Sequence, residues 1–200
     1  MLSLIKNFYR KEVTVLNREK DDFFEIIAII TPRLKYIHSI SNKIDRKLKK
    51  RKIEDIHRIQ ILILIDEILS NAILATIEKS DNLEPVILRF HYDSQIIDLK
   101  VFDFGKGIDL NFLKTVLPMG DTPGEFFESL ENYRKTMFKR KDQTKNFHQK
   151  FGKGLRIISK ISDSLDVLFH TFDGNIILKP DTRTAGSIVH STYNYHKQLI

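Results

Sequence analysis

The chain has 200 residues, of which 42% are hydrophobic and 30% charged, and this balance suits one folded domain rather than a disordered chain. It contains no cysteine, so disulfides, thiolate zinc sites and cysteine nucleophiles are excluded, and a reducing compartment fits. Its net charge of +7 favours an anionic partner such as a nucleotide, nucleic acid, lipid or acidic protein, without choosing among them.

Neither the N-terminal stretch nor the most apolar segment predicts a targeting or membrane-spanning segment. The apolar run in MLSLIKNFYR is too short for a signal peptide, and the longest aliphatic run, Ile61 to Ile65, ends at two acidic residues. We therefore expect a cytoplasmic protein with no membrane partner. Because no internal repeat or low-complexity block is present, residues 1–200 are expected to form a single domain.

The first fifty residues predict a strand followed by a helix. KEVTVL, residues 11–16, alternates and is rich in β-branched side chains, which is typical of a short strand. Asp21 and Asp22 then offer helix-start chemistry, and apolar residues at helical spacing predict a helix over 23–40, which Pro32 could kink or restart. The basic stretch KIDRKLKKRK, residues 43–52, is interpreted as the polar exit from that helix.

The middle of the chain predicts a long helix and a β-hairpin. The helix extends from about Glu54 to Glu78 and ends near the turn signal SDNLEP. Residues 86–92 and 96–102 alternate between apolar and polar and are separated by DSQ, which predicts an antiparallel hairpin. Residues 108–151 show little strand character, and a connection of this length is usually functional.

The last fifty residues predict one helix and three closing strands. The helix is expected over Gly154 to Ile161, and the strands over 165–172, 175–179 and 187–193, with DG at 173 and 174 as a hairpin turn. Helices come early and strands late, with one helix between them. This order predicts an α+β fold, in which helices cover one face of a mainly antiparallel sheet.

The stretch ILILIDEILSNAIL, residues 61–74, places polar residues in the middle of an apolar helix. Glu67 and Asn71 are spaced i and i+4, so they lie one turn apart on the same helical face. If this face is buried, the two side chains need partners, because an unpaired buried carboxylate is costly. A ligand or metal ion could supply them; a half-exposed helix with a polar face is the other interpretation.

The stretch VFDFGKGI, residues 101–108, places an acidic residue at the end of a predicted strand. Asp103 can accept hydrogen bonds from an exocyclic amine such as that of adenine. Gly105 and Gly107 allow a flat ligand to approach the backbone closely. Taken alone, this pattern is also typical of a simple turn at a strand end.

The stretch FGKGLRII, residues 151–158, places two glycines directly before an apolar helix. Amides without partners at a helix N-terminus, together with the positive end of the helix dipole, form a site suited to phosphates. Gly152 and Gly154 flank Lys153, which adds a positive charge. Neither GxxxxGK[ST] nor GxGxxG occurs, so the stretch is neither a Walker loop nor a Rossmann fingerprint.

Read together and in this order, ExxxNA, DxGxG and GxGL resemble the motifs of the ATPase superfamily of gyrase-type topoisomerases, heat-shock chaperones, histidine kinases and mismatch-repair proteins. The resemblance extends over roughly Lys11 to Tyr193. The compact single domain looks most like the bacterial anti-sigma-factor serine/threonine kinases. The resemblance implies the Bergerat ATP-binding fold, a two-layer α/β sandwich, with residues 108–151 as a lid insertion over the nucleotide.

The resemblance also implies cofactors, ATP and Mg²⁺, and a role for each matching residue. Glu67 matches the general base, Asn71 the Mg²⁺ ligand, and Asp103 the residue that recognises the adenine amine. The other residues implied to bind the nucleotide are Gly105, Gly107, Gly152, Lys153, Gly154, Leu155 and Ser187. Leu74 and Ala75 depart from the family, which commonly has a basic or aromatic residue and then His or Tyr there. This departure concerns catalytic rate more than binding.

By this resemblance the chain is a protein serine/threonine kinase that sequesters a sigma factor and phosphorylates an antagonist protein, and thereby regulates transcription. A homodimer is common among such relatives. One alternative is a non-catalytic, ATP-dependent protein-interaction switch, which the residues at 74 and 75 motivate. Another is a histidine-kinase-like catalytic module, for which His38 is the candidate phosphoacceptor; we interpret His38 as an ordinary helix residue.

The basic stretches are candidates for a surface that binds nucleic acid. Residues 43–52 and 135–150 are the most positively charged parts of the chain. They lack interleaved aromatic residues over most of their length and match no recognised nucleic-acid-binding motif. We therefore do not expect nucleic acid to be the partner.

Overall fold

The computed structural model describes residues 13–79, 84–105 and 157–196, whose backbone forms helices and one sheet. The helices and strands have the following bounds: β1 Val13–Glu19, β2 Phe24–Ile30, a 3-10 helix Leu34–Tyr36, α1 Ile37–Lys50, α2 Asp55–Lys79, β3 Val86–Tyr92, β4 Ile97–Phe102, β5 Ser164–Thr171, β6 Ile176–Ile177 and β7 Thr184–Tyr193. Residues 157–161 are also helical.

The sheet is seven-stranded and antiparallel at every pairing, in the order β1-β2-β3-β4-β7-β5-β6. The inward side chains of β2, β3 and β4 form one apolar core with residues of α1, α2 and the helical segment 157–161. Helix α2 packs on β3 and β4, and α1 packs on α2. This arrangement confirms the expected α+β class, with helices covering one face of an antiparallel sheet.

The segment after β1 is a second strand, so the helix predicted over 23–40 is wrong in its first half. Asp21 and Asp22 lie in the hairpin turn between β1 and β2 and do not start a helix. The reason is that β2 is central enough to be apolar on both faces, with Phe24 buried on one side and Ile27 half-buried on the other. Periodicity does not separate such a strand from a buried helix.

Most of the basic stretch, residues 43–50, belongs to α1 and is not an exit from the helix. The buried residues of α1 recur every three or four positions, which leaves the cations outside the core. Lys47 and Arg51 pair with Glu19 at the end of β1. The Arg51 guanidinium also donates to the carbonyl oxygen of Phe23, 3.3 Å away, so this end of α1 fastens the first hairpin.

The remaining elements follow the predicted order. The long helix α2 and the β3–β4 hairpin are confirmed, and Gly174 has the positive φ of 85° that its hairpin turn requires. The strand predicted over 175–179 has only two residues, Ile176 and Ile177. The predicted lid, residues 108–151, lies outside the described residues.

Helix α2 is long and apolar enough, over Asp55–Glu78, to cross a membrane by length and composition alone. In this structure it is the central helix of the core. Its buried apolar residues include Ile61, Leu64, Ile65, Ile68, Leu69 and Ile73. Because the core helix of a two-layer fold meets the same criteria, we interpret α2 as a core helix.

The sheet face away from the helices carries a row of charged and titratable side chains, which we name the charge ladder. It crosses six strands through Arg18 on β1, Glu25 on β2, Arg89 on β3, Asp98 on β4, His190 on β7 and Asp166 on β5. The nitrogen and oxygen atoms of successive members lie 2.7 to 3.8 Å apart. Single exposed ion pairs contribute little, but cross-strand pairs of opposite charge favour this strand order.

Removing buried side chain volume from the middle of the sheet should destabilise the fold. Leu88 on β3 is 0% exposed, whereas Leu16 on the edge strand β1 is 56% exposed. We expect Leu88→Ala to lower the free energy of unfolding by about 2–5 kcal/mol and the matched control Leu16→Ala by less than about 1 kcal/mol. Urea denaturation followed by circular dichroism measures both, and equal losses would contradict the described sheet.

Candidate functional site

The candidate site is built around Asp103, which directly follows β4 and is 3% exposed. Its amide donates to the carbonyl oxygen of Ser187 on β7, at 2.9 Å. Its Oδ1 atom accepts from the amides of Gly105, at 2.7 Å, and Ser187, at 3.3 Å. Its Oδ2 atom accepts from the Ser187 hydroxyl. The structure therefore brings together three of the residues predicted to bind a nucleotide.

The charge state of Asp103 is set by two opposing effects. Burial is the larger effect, and it raises the pKa of the Asp103 carboxyl above its ordinary value. The hydrogen bonds from Ser187 and Gly105, and the nearby His170, act in the opposite direction by favouring the carboxylate. The Asp103 carboxyl is therefore a buried acceptor at the end of β4, held in place by its hydrogen-bond donors.

Gly186 permits a close approach between β5 and the backbone of Asp103. His170 on β5 is paired with Gly186 in the sheet, and its Nε2 atom lies 2.7 Å from the Asp103 carbonyl oxygen. A Cβ atom at residue 186 would lie 1.8 Å from that oxygen, so any side chain there would displace the backbone. His170 was not predicted to belong to the site. A lone histidine in a predicted strand gives no distinguishing signal.

The last turns of α2 pack against the turn that follows β4. The Thr76 hydroxyl accepts from the amide of Phe104, at 3.3 Å, and donates to the carbonyl oxygen of Ala72, at 2.9 Å. A Cβ atom at Gly105 would lie 2.5 Å from the Cβ of Ala75. The alanine that departs from the family pattern thus lies directly against a glycine of the DxGxG motif. Sequence analysis did not identify Thr76 as part of this contact.

The two neighbouring acids on α2 have different surroundings. Asp66 accepts a hydrogen bond of 2.5 Å from the Ser41 hydroxyl of α1, so it joins the two helices. Glu67 is 6% exposed, and Asn71, one turn later, is half-buried. The residues predicted as general base and Mg²⁺ ligand therefore lie on the helix that also contacts the Asp103 turn.

Five other predicted site residues lie outside the described residues: Gly107, Gly152, Lys153, Gly154 and Leu155. Their roles remain predictions. Within residues 13–79, 84–105 and 157–196, no group of three or more histidine, aspartate or glutamate side chains is placed to hold a metal ion. The only metal ligand predicted here is Asn71, so further ligands for Mg²⁺ would have to come from the nucleotide or from other parts of the chain.

His38, the candidate phosphoacceptor, is exposed on α1. Its Nε2 atom lies 2.9 Å from the Nδ2 atom of Asn42, one helical turn later. Such a contact is typical of a surface helix residue, and it places His38 on the helix that packs against α2. The structure gives no separate helical hairpin for it among the described residues.

Comparisons with known proteins find similar solved structures but no matching family model or curated protein. Among solved structures, a chain in the crystal structure of the SiaB–SiaC complex from Pseudomonas aeruginosa is similar over 97% of both chains, with 10% identity and a TM-score of 0.49. At this identity and this score the similarity carries no argument about function. It is a likeness to one chain from a complex between two proteins.

The pH dependence of stability should reveal the buried Asp103 carboxyl. Because its pKa in the folded state lies above the ordinary value of 3.8, the folded state binds this proton more tightly than the unfolded state. The resulting stability is complete below pH 3.8 and is lost as the pH rises through the raised pKa. The free energy of unfolding of the wild type minus that of Asp103→Asn should therefore fall with rising pH across this window.

Urea denaturation at intervals from about pH 4 to about pH 8 measures this difference. Asp22→Asn, in the exposed turn between β1 and β2, is the matched control and should keep the wild-type profile. A difference that instead rises with pH would mean that the hydrogen bonds to Asp103 outweigh its burial.

Proposed function

We propose that the chain binds Mg-ATP and acts as a protein serine/threonine kinase of the anti-sigma-factor type. The observation that carries the nucleotide proposal is the arrangement at Asp103. A carboxylate has about four acceptor positions, and donors from the described residues fill three of them. One position remains on Oδ2, beside the Ser187 hydroxyl, and it suits an exocyclic amine such as that of adenine.

The spacing along α2 supports the same proposal. Ala75 lies against Gly105 in the turn that holds Asp103, and Asn71 and Glu67 come four and eight residues earlier, on the same helical face. At 1.5 Å per residue, Glu67 lies about 12 Å along the axis from Ala75. An extended nucleoside triphosphate has a comparable length. A base held at Asp103 would therefore direct its phosphates along α2 toward Asn71 and Glu67.

Each residue of the proposed site has a simple chemical task. Asp103 accepts the amine of the base, and Ser187 holds the carboxylate in position. Asn71 supplies an amide oxygen to Mg²⁺, and the bound ion neutralises phosphate charge. Glu67, which is 6% exposed, is the base that takes the proton from the attacking hydroxyl.

The proposed substrate is a serine or threonine on an antagonist protein, and the proposed binding partner is a sigma factor. These partners come from the resemblance of the motifs. From the apolar segments of the sequence we also propose a cytoplasmic protein without a membrane partner, and a homodimer is common among the proteins that the motifs resemble.

A non-catalytic, nucleotide-dependent switch is the second candidate function. The observation in its favour is the contact between Ala75 and Gly105, where the motif family has a larger polar or aromatic residue. An alanine cannot contact a phosphate, so binding could persist while transfer is lost. ATP binding without any ADP formation would support this candidate.

The first prediction of the proposal concerns ATP binding. In Asp103→Asn, an amide NH₂ group replaces one acceptor oxygen and opposes the donor of the base, so the increase in melting temperature caused by ATP and Mg²⁺ should be lost. Thermal shift measurements with and without Mg²⁺ test this. Asp22→Asn is the control and should retain the increase. An unchanged increase in Asp103→Asn would rule out the proposed base site.

The second prediction separates binding from transfer. Glu67→Gln keeps the size and hydrogen-bonding capacity of the side chain but cannot accept a proton at neutral pH, so ATP should bind within about threefold of the wild-type affinity while turnover falls at least about 100-fold. Calorimetric titration measures binding, and ADP release measures turnover. Glu78→Gln, an exposed residue on the same helix, is the control. Equal turnover in Glu67→Gln and the wild type would remove Glu67 from the mechanism.

A further inference from the structure

His170 is a buried histidine whose hydrogen bonds fix the backbone beside the candidate site. It is 8% exposed, and its ring passes over β7 at Gly186 to reach the end of β4. A carbonyl oxygen only accepts hydrogen bonds, so Nε2, 2.7 Å from the Asp103 carbonyl oxygen, carries the hydrogen. The hydrogen on Nε2 of His170 is therefore held by the residue that carries the candidate carboxylate.

The same ring also contacts the next residue. The ring of Phe104 stands edge-on to that of His170, with 5.0 Å between the centroids and 82° between the planes. The His170 Nδ1 atom lies 3.4 Å from the carbonyl oxygen of Thr171, within its own strand. His170 thus joins β5 to two consecutive residues of the turn after β4.

Three elements hold this turn, and each acts on a different group. Ser187 on β7 holds the Asp103 carboxylate, and Thr76 on α2 accepts from the Phe104 amide. His170 on β5 donates to the Asp103 carbonyl, which is the other side of the peptide group whose amide belongs to Phe104. Loss of the His170 donor would leave a buried carbonyl without that partner and allow the peptide to rotate. Rotation of the peptide would reorient the Asp103 side chain.

We propose that His170 is a positioning residue for base recognition, which holds the Asp103 carboxylate at the exocyclic amine of the base without touching the nucleotide. This inference rests on the proposed binding of ATP at Asp103. Its specific consequence is that His170 controls how strongly the protein prefers a nucleotide with the exocyclic amine to one without it. His170 would have less effect on the affinity that the two nucleotides share. Replacing a residue that only supports the fold would weaken the binding of both nucleotides by the same factor.

The test compares ATP with the triphosphate of purine riboside, which lacks the exocyclic amine. In the wild type, ATP should bind roughly 10- to 100-fold more tightly, since a hydrogen bond to a charged group has about this effect. His170→Leu has no donor, and the ratio of the two dissociation constants should fall below about threefold. His170→Gln places an amide donor the same number of bonds from the backbone and should keep the ratio within about threefold of the wild type. Calorimetric titration measures all six dissociation constants.

The outcomes distinguish the inference from the proposed function. If the wild type binds neither nucleotide, the proposed function fails and the inference fails with it. If the wild type discriminates and His170→Leu discriminates equally well, the inference alone is overturned. Reduced discrimination in His170→Leu with recovery in His170→Gln supports it.

A measurement on the wild type keeps the inference testable if His170→Leu does not fold. In the chain labelled with ¹⁵N at histidine, the Nε2 proton signal of His170 should shift when ATP is added, and shift less when purine riboside triphosphate is added. The spectrum of His170→Gln identifies the signal. Equal shifts with the two nucleotides would overturn the inference.

Discussion

The pairing of β4 with β7 is the constraint on which the candidate site depends. Its register places Phe102 opposite Ile188, and the next bond joins the Asp103 amide to the Ser187 carbonyl oxygen. Asp103 and Ser187 are 84 residues apart in the chain, so only this register brings the carboxylate to its donors. A slip of one residue would turn the side chains of β7 to the opposite face of the sheet and remove the Ser187 hydroxyl from Asp103. The site is therefore a property of the sheet and not of the DxGxG motif alone.

The elements that were predicted correctly are those whose signal is local. The long apolar run of α2, the alternation of β3 and β4 around DSQ, and the DG turn at Gly174 each express one backbone conformation over a few residues. The prediction of Asp103 as a site residue also rests on a short pattern, an acidic residue at the end of a strand before spaced glycines. The position of Ser187 beside it came from the resemblance between motifs, and the structure places the two residues in contact.

The elements that were not predicted depend on distant contacts. β2 is a strand because β1 and β3 flank it, although its own apolar residues also fit a helix. Arg51 reaches the first hairpin across 28 residues, and His170 reaches Asp103 across 67. Neither side chain belongs to a motif, and only the tertiary arrangement gives it a partner. Ala75, which departs from the family pattern, lies directly against Gly105.

The charge ladder has a consequence for how sequences with this fold can diverge. Each member pairs with a residue on a neighbouring strand, and those strands are mostly distant in the chain. Reversing the charge of Glu25 alone would place like charges together on three adjacent strands, whereas exchanging Glu25 and Arg89 restores their own pair and disturbs only the outer contacts. We therefore expect homologous chains to change these positions in pairs. Such correlated changes, on the sheet face outside the core, would show which strands are neighbours.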